Sequence, residues 1–530
     1  MKSELRDNTV MATPSEKLAE SLEVLHQLQE HSPVAIRSVD LTRTHRERLC
    51  QNGFLQEVIK GWYIPSRPDG DAGESTAWYT SFWQFCAAYL ENMKGEDWCL
   101  SPEQSLSLHA GNWTVPKQLL VRANKARNNI TTLPYDTSLL DIRSTVPEGE
   151  DMVEKDGLRL FSLPAALMAC TAPTFTQIPT DMRAALSIVR DASEVLEPLL
   201  EGGHTTVAGR LAGAFRNIGR DRIADTIVRT MNAAGYKVRE CDPFEAKIPM
   251  ILSAREQSPY ANRIRLMWQE MRGQIIKRFP AAPGLPKDNK AYLKQVEDVY
   301  VTDAYHSLSI EGYRVSRELI EKVRSGNWNP LSNDKKQNDK DQRNAMAAHG
   351  YWQAYQAVRK SIEKVLGNDN PGTVIHDDHS IWYQEMFSPS VTAGILRPSD
   401  LAGYRNEPVY IRKSKHVPLN REALRDAMPV LFDLLREETE PCVRVVLGHF
   451  IFVYIHPYID GNGRMGRFLM NVMLASGGYP WTVVPVEKRN PYMAALEEAS
   501  VNQNIVPFAD FLAGLVDAGL KGKSIPDLPS

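Results

Sequence analysis

The chain has 530 residues, 43% of them hydrophobic and 24% charged, with a formal net charge of −3. That is too long for one core and too balanced for a polycationic nucleic-acid binder or an acidic disordered chain, so two or three domains are expected and any nucleic-acid contact must come from a local patch. Six cysteines (Cys50, Cys86, Cys99, Cys170, Cys241 and Cys442) show no paired spacing, no signal-like segment opens the sequence and no apolar run could span a bilayer, so reduced thiols in a cytoplasmic protein without membrane contact are expected.

In chain order, Ser15–His31 carries Leu18, Leu22, Leu25 and Leu28 at helical spacing. Ile36–Asp40 reads as a short helix and Thr42–Leu49 as a basic one, with Arg43, Arg46 and Arg48 beside His45 and against Glu47. Phe54–Ile64 reads as two strands about a Lys60-Gly61 turn. Helix, short helix, basic helix and β-wing is the order of a winged helix-turn-helix over residues 15–70, an α+β region in which Arg43, Arg46, Arg48 and Lys60 are the candidate DNA contacts. Gln51-Asn52-Gly53-Phe54, Gly61-Trp62-Tyr63-Ile64-Pro65 and Leu100–Gly111 resemble the regulator-like front end of abortive-infection antitoxins. The resemblance implies DNA as a partner and places Leu158–Cys170 and the helical Asp181–Ala234 in an accompanying domain over 71–240. A winged helix serves protein contacts as well as DNA, and the sequence leaves both open. Residues 241–286 read as a connecting segment, with the linker at Phe279–Pro286.

Residues 287–522 read as the second large domain. A helical stretch, Ala291–Ile310, ends in Ser307-Leu308-Ser309-Ile310-Glu311-Gly312. Asn327–Arg343 reads as a polar insertion, and Val409, Ile411 and Val417-Pro418 as a short hairpin after Gly403-Tyr404-Arg405. The most informative segment is His456-Pro457-Tyr458-Ile459-Asp460-Gly461-Asn462-Gly463-Arg464-Met465-Gly466-Arg467. A histidine suits general-base work near neutral pH, and an aspartate can hold Mg²⁺ alongside phosphate oxygens. The Gly-Asn-Gly turn exposes backbone N–H groups at the start of a helix running through Phe468–Leu474, and the two arginines lie one turn apart. Together these are the parts that handling a nucleoside triphosphate requires. The same glycines satisfy a dinucleotide fingerprint after a strand-like Ile451–Ile455, but Pro457 would end that strand before the turn, and the chain beyond Glu487 reads as helix rather than βαβ.

This run resembles the signature of the Fic family, His-x-Phe-x-(Asp/Glu)-Gly-Asn-Gly-Arg-x-x-Arg, departing from it only at Tyr458. The resemblance implies a mainly α protein, with an all-helical core and a small β-hairpin flap that holds a target segment, transferring AMP from ATP to a Ser, Thr or Tyr hydroxyl of a target protein or of itself. It implies His456 as base, Asp460 as Mg²⁺ ligand, Gly461, Asn462 and Gly463 as an anion hole, and Arg464 and Arg467 on the outer phosphates. Ser307 to Gly312 resembles the family's (Ser/Thr)-x-x-x-Glu-(Gly/Asn) inhibitory motif, which implies an inhibitory helix over 291–312 whose Glu311 engages Arg467, within one chain or across a homodimer. Two alternatives remain: transfer of another phosphate-containing group, against which Gly463 argues because such relatives tend to carry Lys there, and a DNA-binding regulator whose C-terminal half senses nucleotide.

Overall fold

The computed structural model describes residues 13–31, 34–68, 75–245, 258–327, 339–523 and 528; most of the polar insertion expected over 327–343 lies outside them. The chain divides into two compact units, Met1–Thr171 with Tyr410–Val417, and Ala172–Val409 with Pro418–Ser530. No helix among the described residues is long and apolar enough to cross a membrane.

Unit 1 begins with α1 (Pro14–His31), β1 (Ile36–Arg37), α2 (Arg43–Gln51), β2 (Leu55–Ile59) and β3 (Trp62–Pro65). The strands form an antiparallel sheet in the order β1-β3-β2. The short helix expected at Ile36–Asp40 is instead β1, because Ile36 and Arg37 pair with Tyr63 and Trp62, and Asp40 then caps the turn by binding the Arg37 N–H and guanidinium. Next come α3 (Thr76–Lys94), β4 (Cys99–Leu100), α4 (Pro102–His109), β5 (Gln118–Ala123), β6 (Ile130–Leu133), β7 (Thr137–Arg143), β8 (Met152–Lys155), β9 (Leu158–Phe161) and α5 (Leu163–Ala169). A second sheet runs β4-β5-β7-β6 with β5 and β7 parallel, and β8-β9 is a hairpin closed by Asp156-Gly157, both at positive φ as such a two-residue turn requires. The core is aromatic: Trp78, Phe82, Phe85 and Trp98 are fully buried, with edge-on ring contacts along α3. Tyr410–Val417 counts with this unit because the Lys413 N–H donates to Thr76 Oγ1 at 3.1 Å and the Val115 N–H to Lys415 O at 2.9 Å.

Among its described residues, unit 2 has helices and no strand. It comprises α6 (Ala172–Gln177), α7 (Pro179–Ile188), α8 (Ser193–Glu201), α9 (Thr205–Asn217), α10 (Asp221–Ala233), α11 (Pro259–Ile276), α12 (Asn289–Ile310), α13 (Arg317–Arg324), α14 (Asp339–Leu366), α15 (Pro371–Thr392), α16 (Arg421–Glu437), α17 (Pro441–Ile455), α18 (Asn462–Ser476), α19 (Arg489–Val501) and α20 (Val506–Leu520). The helices α6–α10, expected to accompany the N-terminal domain, pack here instead. The buried Asp181 of α7 pairs with the buried Arg263 of α11, and Arg183 reaches Glu270 at 2.9 Å. Two charges removed from water need each other, so the chain divides before α6 rather than after α10. For the same reason, residues 241–286 include a packed helix as well as a connection, with Met267, Trp268 and Met271 of α11 in the core.

Two local expectations fail. Ile451–Ile455 is the end of α17, not a strand. Every α17 residue except Pro441 and Val453 is buried, so the sequence shows no helical stripe there. No strand forms between Gly403 and Pro418, so the flap is not a β-hairpin. Pro408 and Pro418 lack ladder donors, Lys413 turns the chain at φ 62°, and the Arg405 and Lys413 N–H groups donate outside the segment, to Pro457 O and Thr76 Oγ1.

Candidate active site

The site is the junction of α17 and α18. Helix α17 ends at His456, which adopts φ 55°, ψ 61° and donates its N–H to Phe452 O. This left-handed residue turns the chain out of the helix, and Pro457 prevents its return. The loop that follows is braced from within. Asn462 accepts the Tyr458 N–H at 2.9 Å and donates to Tyr458 O at 2.8 Å, so its side chain shapes the loop and only its backbone is available to an anion. Tyr458 itself is buried and stacks on Tyr383, with ring centroids 3.8 Å apart and planes at 7°. Its hydroxyl has no hydrogen-bond partner among the described residues.

Gly461, at φ 81°, caps α18, and a Cβ there would come within 2.8 Å of Phe387. The N–H groups of Asn462, Gly463 and Arg464 therefore head a helix, where the helix dipole favours negative charge. Arg464 is buried, with its guanidinium over the rings of Phe387 (5.1 Å) and Tyr313 (5.2 Å) and 3.2 Å from Asp460 Oδ2. Its Nε has no partner among the described residues. Arg467, also buried, donates Nε to Ser307 Oγ (2.9 Å) and Nη2 to both Ser307 O (3.0 Å) and Glu311 Oε1 (2.7 Å). These acceptors belong to the last turn of α12 and its cap. The same Glu311 oxygen lies over Gly463, where any Cβ would collide with it.

His456 Nδ1 lies 3.1 Å from Val453 O, a carbonyl that can only accept, so Nδ1 carries the proton and Nε2 the lone pair. Burial lowers its pKa to about 4, against the opposing pull of that hydrogen bond, and the ring is neutral at pH 7. Asp460 has a side chain 63% exposed, with Oδ1 accepting the Gly461 N–H at 2.6 Å. No group of three His, Cys, Asp or Glu side chains that could hold a metal occurs among the described residues. A single open carboxylate suits Mg²⁺, which keeps most of its shell as water and phosphate oxygen.

Sequence reasoning missed Arg405, which is 3% exposed and donates to His456 O, Glu407 O, Leu419 O and Ile455 O. Phe387 and Tyr313 were missed too, since no local pattern separates them from ordinary core rings. Of the candidate DNA contacts, Arg46 and Arg48 are committed internally, whereas Arg43 forms only an exposed ion pair within its helix. Arg48 donates to Lys17 O and Ser21 Oγ, Arg46 to Ser38 O, and Arg43 pairs with Glu47 at 2.6 Å. Lys60 is exposed at the β2–β3 turn.

Residues 375–474, from α15 to α18, match the model of the Fic/DOC family. That stretch is similar to a Fic domain. It is 27% identical to the protein adenylyltransferase Fic of Nematostella vectensis over 264 residues, 47% of this chain and 55% of that protein. It is 34% identical to the protein adenylyltransferase Fic of Drosophila willistoni over 131 residues, 24% of this chain and 26% of that one. The chain thus spans about half the length of the first Fic relative and a quarter of the second. A solved structure of Caenorhabditis elegans Fic-1, residues 134–508, covers 62% of this chain and 91% of its own at 19% identity and a TM-score of 0.37, a likeness too distant to carry an argument.

Proposed function

We propose that this chain transfers AMP from ATP to a hydroxyl of a protein, and that Glu311 restrains the reaction. The observation that carries the reading is a neutral histidine with a free Nε2 at the end of α17, followed by a loop that leads into the N–H groups and arginines of α18. The target hydroxyl attacks the α-phosphorus while His456 Nε2 takes its proton; the bond to the bridging oxygen breaks and diphosphate leaves. Arg464 and the helix N-terminus meet the growing negative charge. Asp460 would hold Mg²⁺, which when bound neutralises phosphate charge. Arg467 would meet the terminal phosphate, but its fork is occupied by Glu311 and Ser307. ATP entering beside Glu311 would lie out of line for attack, and small misplacements cost large factors in rate.

The test is label transfer from α-³²P-ATP with Mg²⁺ to proteins of a lysate, comparing wild type, Glu311→Gly, and Glu311→Gly with His456→Asn. Labelling by Glu311→Gly alone is expected. No labelling by any of them would remove the AMP-transfer reading. A DNA-binding role for residues 14–65 would rest on Arg43 and Lys60, and failure of the intact protein to shift its own upstream DNA would dismiss it.

A further inference from the structure

The segment between Gly403 and Pro418 has no ladder of its own, yet its neck is closed. One side chain closes it. The Arg405 guanidinium donates Nε to His456 O at 2.7 Å, Nη1 to Glu407 O at 3.1 Å, and Nη2 to Leu419 O at 2.5 Å and to Ile455 O at 3.5 Å. Its backbone N–H donates to Pro457 O at 2.9 Å. Glu407 and Leu419 are the two stems of the excursion, while Ile455, His456 and Pro457 are the end of α17 and the residues that turn the chain toward α18.

The last carbonyls of a helix have no partner within it, and those of Ile455 and His456 are two of them here. A planar guanidinium with five donors can serve several carbonyls from one buried position; a lysine ammonium has three donors around a single point and no such fork. We propose that Arg405 is a positioning residue for the AMP transfer proposed above, setting the placement of the His456 imidazole by holding its backbone carbonyl and the two stems of the 403–418 excursion in one hydrogen-bonded knot. It touches no reacting atom. It acts through His456, whose left-handed conformation and Nδ1 bond to Val453 O depend on where the end of α17 lies.

The inference rests on the AMP-transfer reading for its kinetic readout, so the experiment includes one that does not. In the Glu311→Gly background, Arg405→Lys and Arg405→Gln are compared with Arg405 intact, with thermal unfolding as the check that each folds. The kcat of both variants is expected to fall by about 10- to 100-fold, with KM for ATP within about twofold, since misplacing a reacting group affects the chemical step. Histidine-selective ¹⁵N NMR then reads His456 directly. The parent should show protonated Nδ1 and unprotonated Nε2, and the variants a mixture of tautomers. If Glu311→Gly itself transfers no AMP, the function reading fails while the NMR comparison still decides the role of Arg405. An unchanged His456 spectrum in a folded variant, or equal losses in kcat and 1/KM, would overturn the proposal.

Discussion

At the scale of single residues, the chemistry depends on which side chains are kept from water. His456 is neutral because burial disfavours its charged form, lowering its pKa to about 4. A base is active only when unprotonated, so its activity is retained above its pKa. The acid limb of kcat/KM for Glu311→Gly should therefore fall near pH 4, not near 6.5, in a pH–rate profile of AMP transfer. Stability follows the same sign. His379 (about 4) and His449 (about 3) are also depressed by burial, so between pH 6.5 and 4 the unfolded chain binds protons that the folded one refuses, and stability falls as pH falls. Asp303 opposes this; burial raises it to about 6 despite hydrogen bonds from Tyr351 and Trp481, so it takes up a proton in the folded state first. Three histidines outweigh one aspartate, and the net fall is checked by thermal unfolding across that range. Tyr458 offers a prediction in the stabilising direction. Its buried hydroxyl has no partner among the described residues, so Tyr458→Phe should raise stability by about 1 kcal/mol, read as a higher denaturation midpoint.

At the scale of elements, α12 and α18 meet through two residues one helical turn apart. Ser307 and Glu311 together fill the Arg467 fork, and Glu311 also covers Gly463. A methyl at 463 and the carboxylate at 311 cannot share that space. Gly463→Ala should therefore destabilise the wild type by about 1–2 kcal/mol but cost far less in Glu311→Gly, and a double-mutant cycle by denaturant unfolding gives the difference. The site was legible in the sequence to the extent that its parts lie within one dozen consecutive residues, 456–467, and one short motif, 307–312. The excursion at 403–418 was not. Its alternating Val409 and Ile411 suggested a ladder, while its anchoring depends on Arg405 reaching carbonyls some fifty residues further on. The end of α17 reads like a strand for a different reason: a helix buried on nearly all sides has no polar face to show its period.

At the scale of the molecule, the division of the chain was the least legible feature. A run of helices between residues 179 and 233 gives no sign of which neighbour it joins. That choice is made by Asp181 and Arg263, eighty-two residues apart, and by Arg183 and Glu270. Removing one member leaves the other charged and dry, so Asp181→Ala should cost about 3–5 kcal/mol, detectable as a large drop in the unfolding midpoint. A fragment beginning at residue 241, the boundary suggested by composition, would suffer the same loss.

His456 is also the stop of a helix, and the two duties restrict what can stand there. A β-branched residue is disfavoured in that left-handed conformation, while asparagine tolerates it better than most. Exchanges at this position therefore fall into two kinds, those that silence the chemistry and those that unravel the bend. Asn belongs to the first and Val to the second. A library saturating residue 456 should accordingly sort by folded yield before it sorts by activity, with Asn and Gly well expressed and inert.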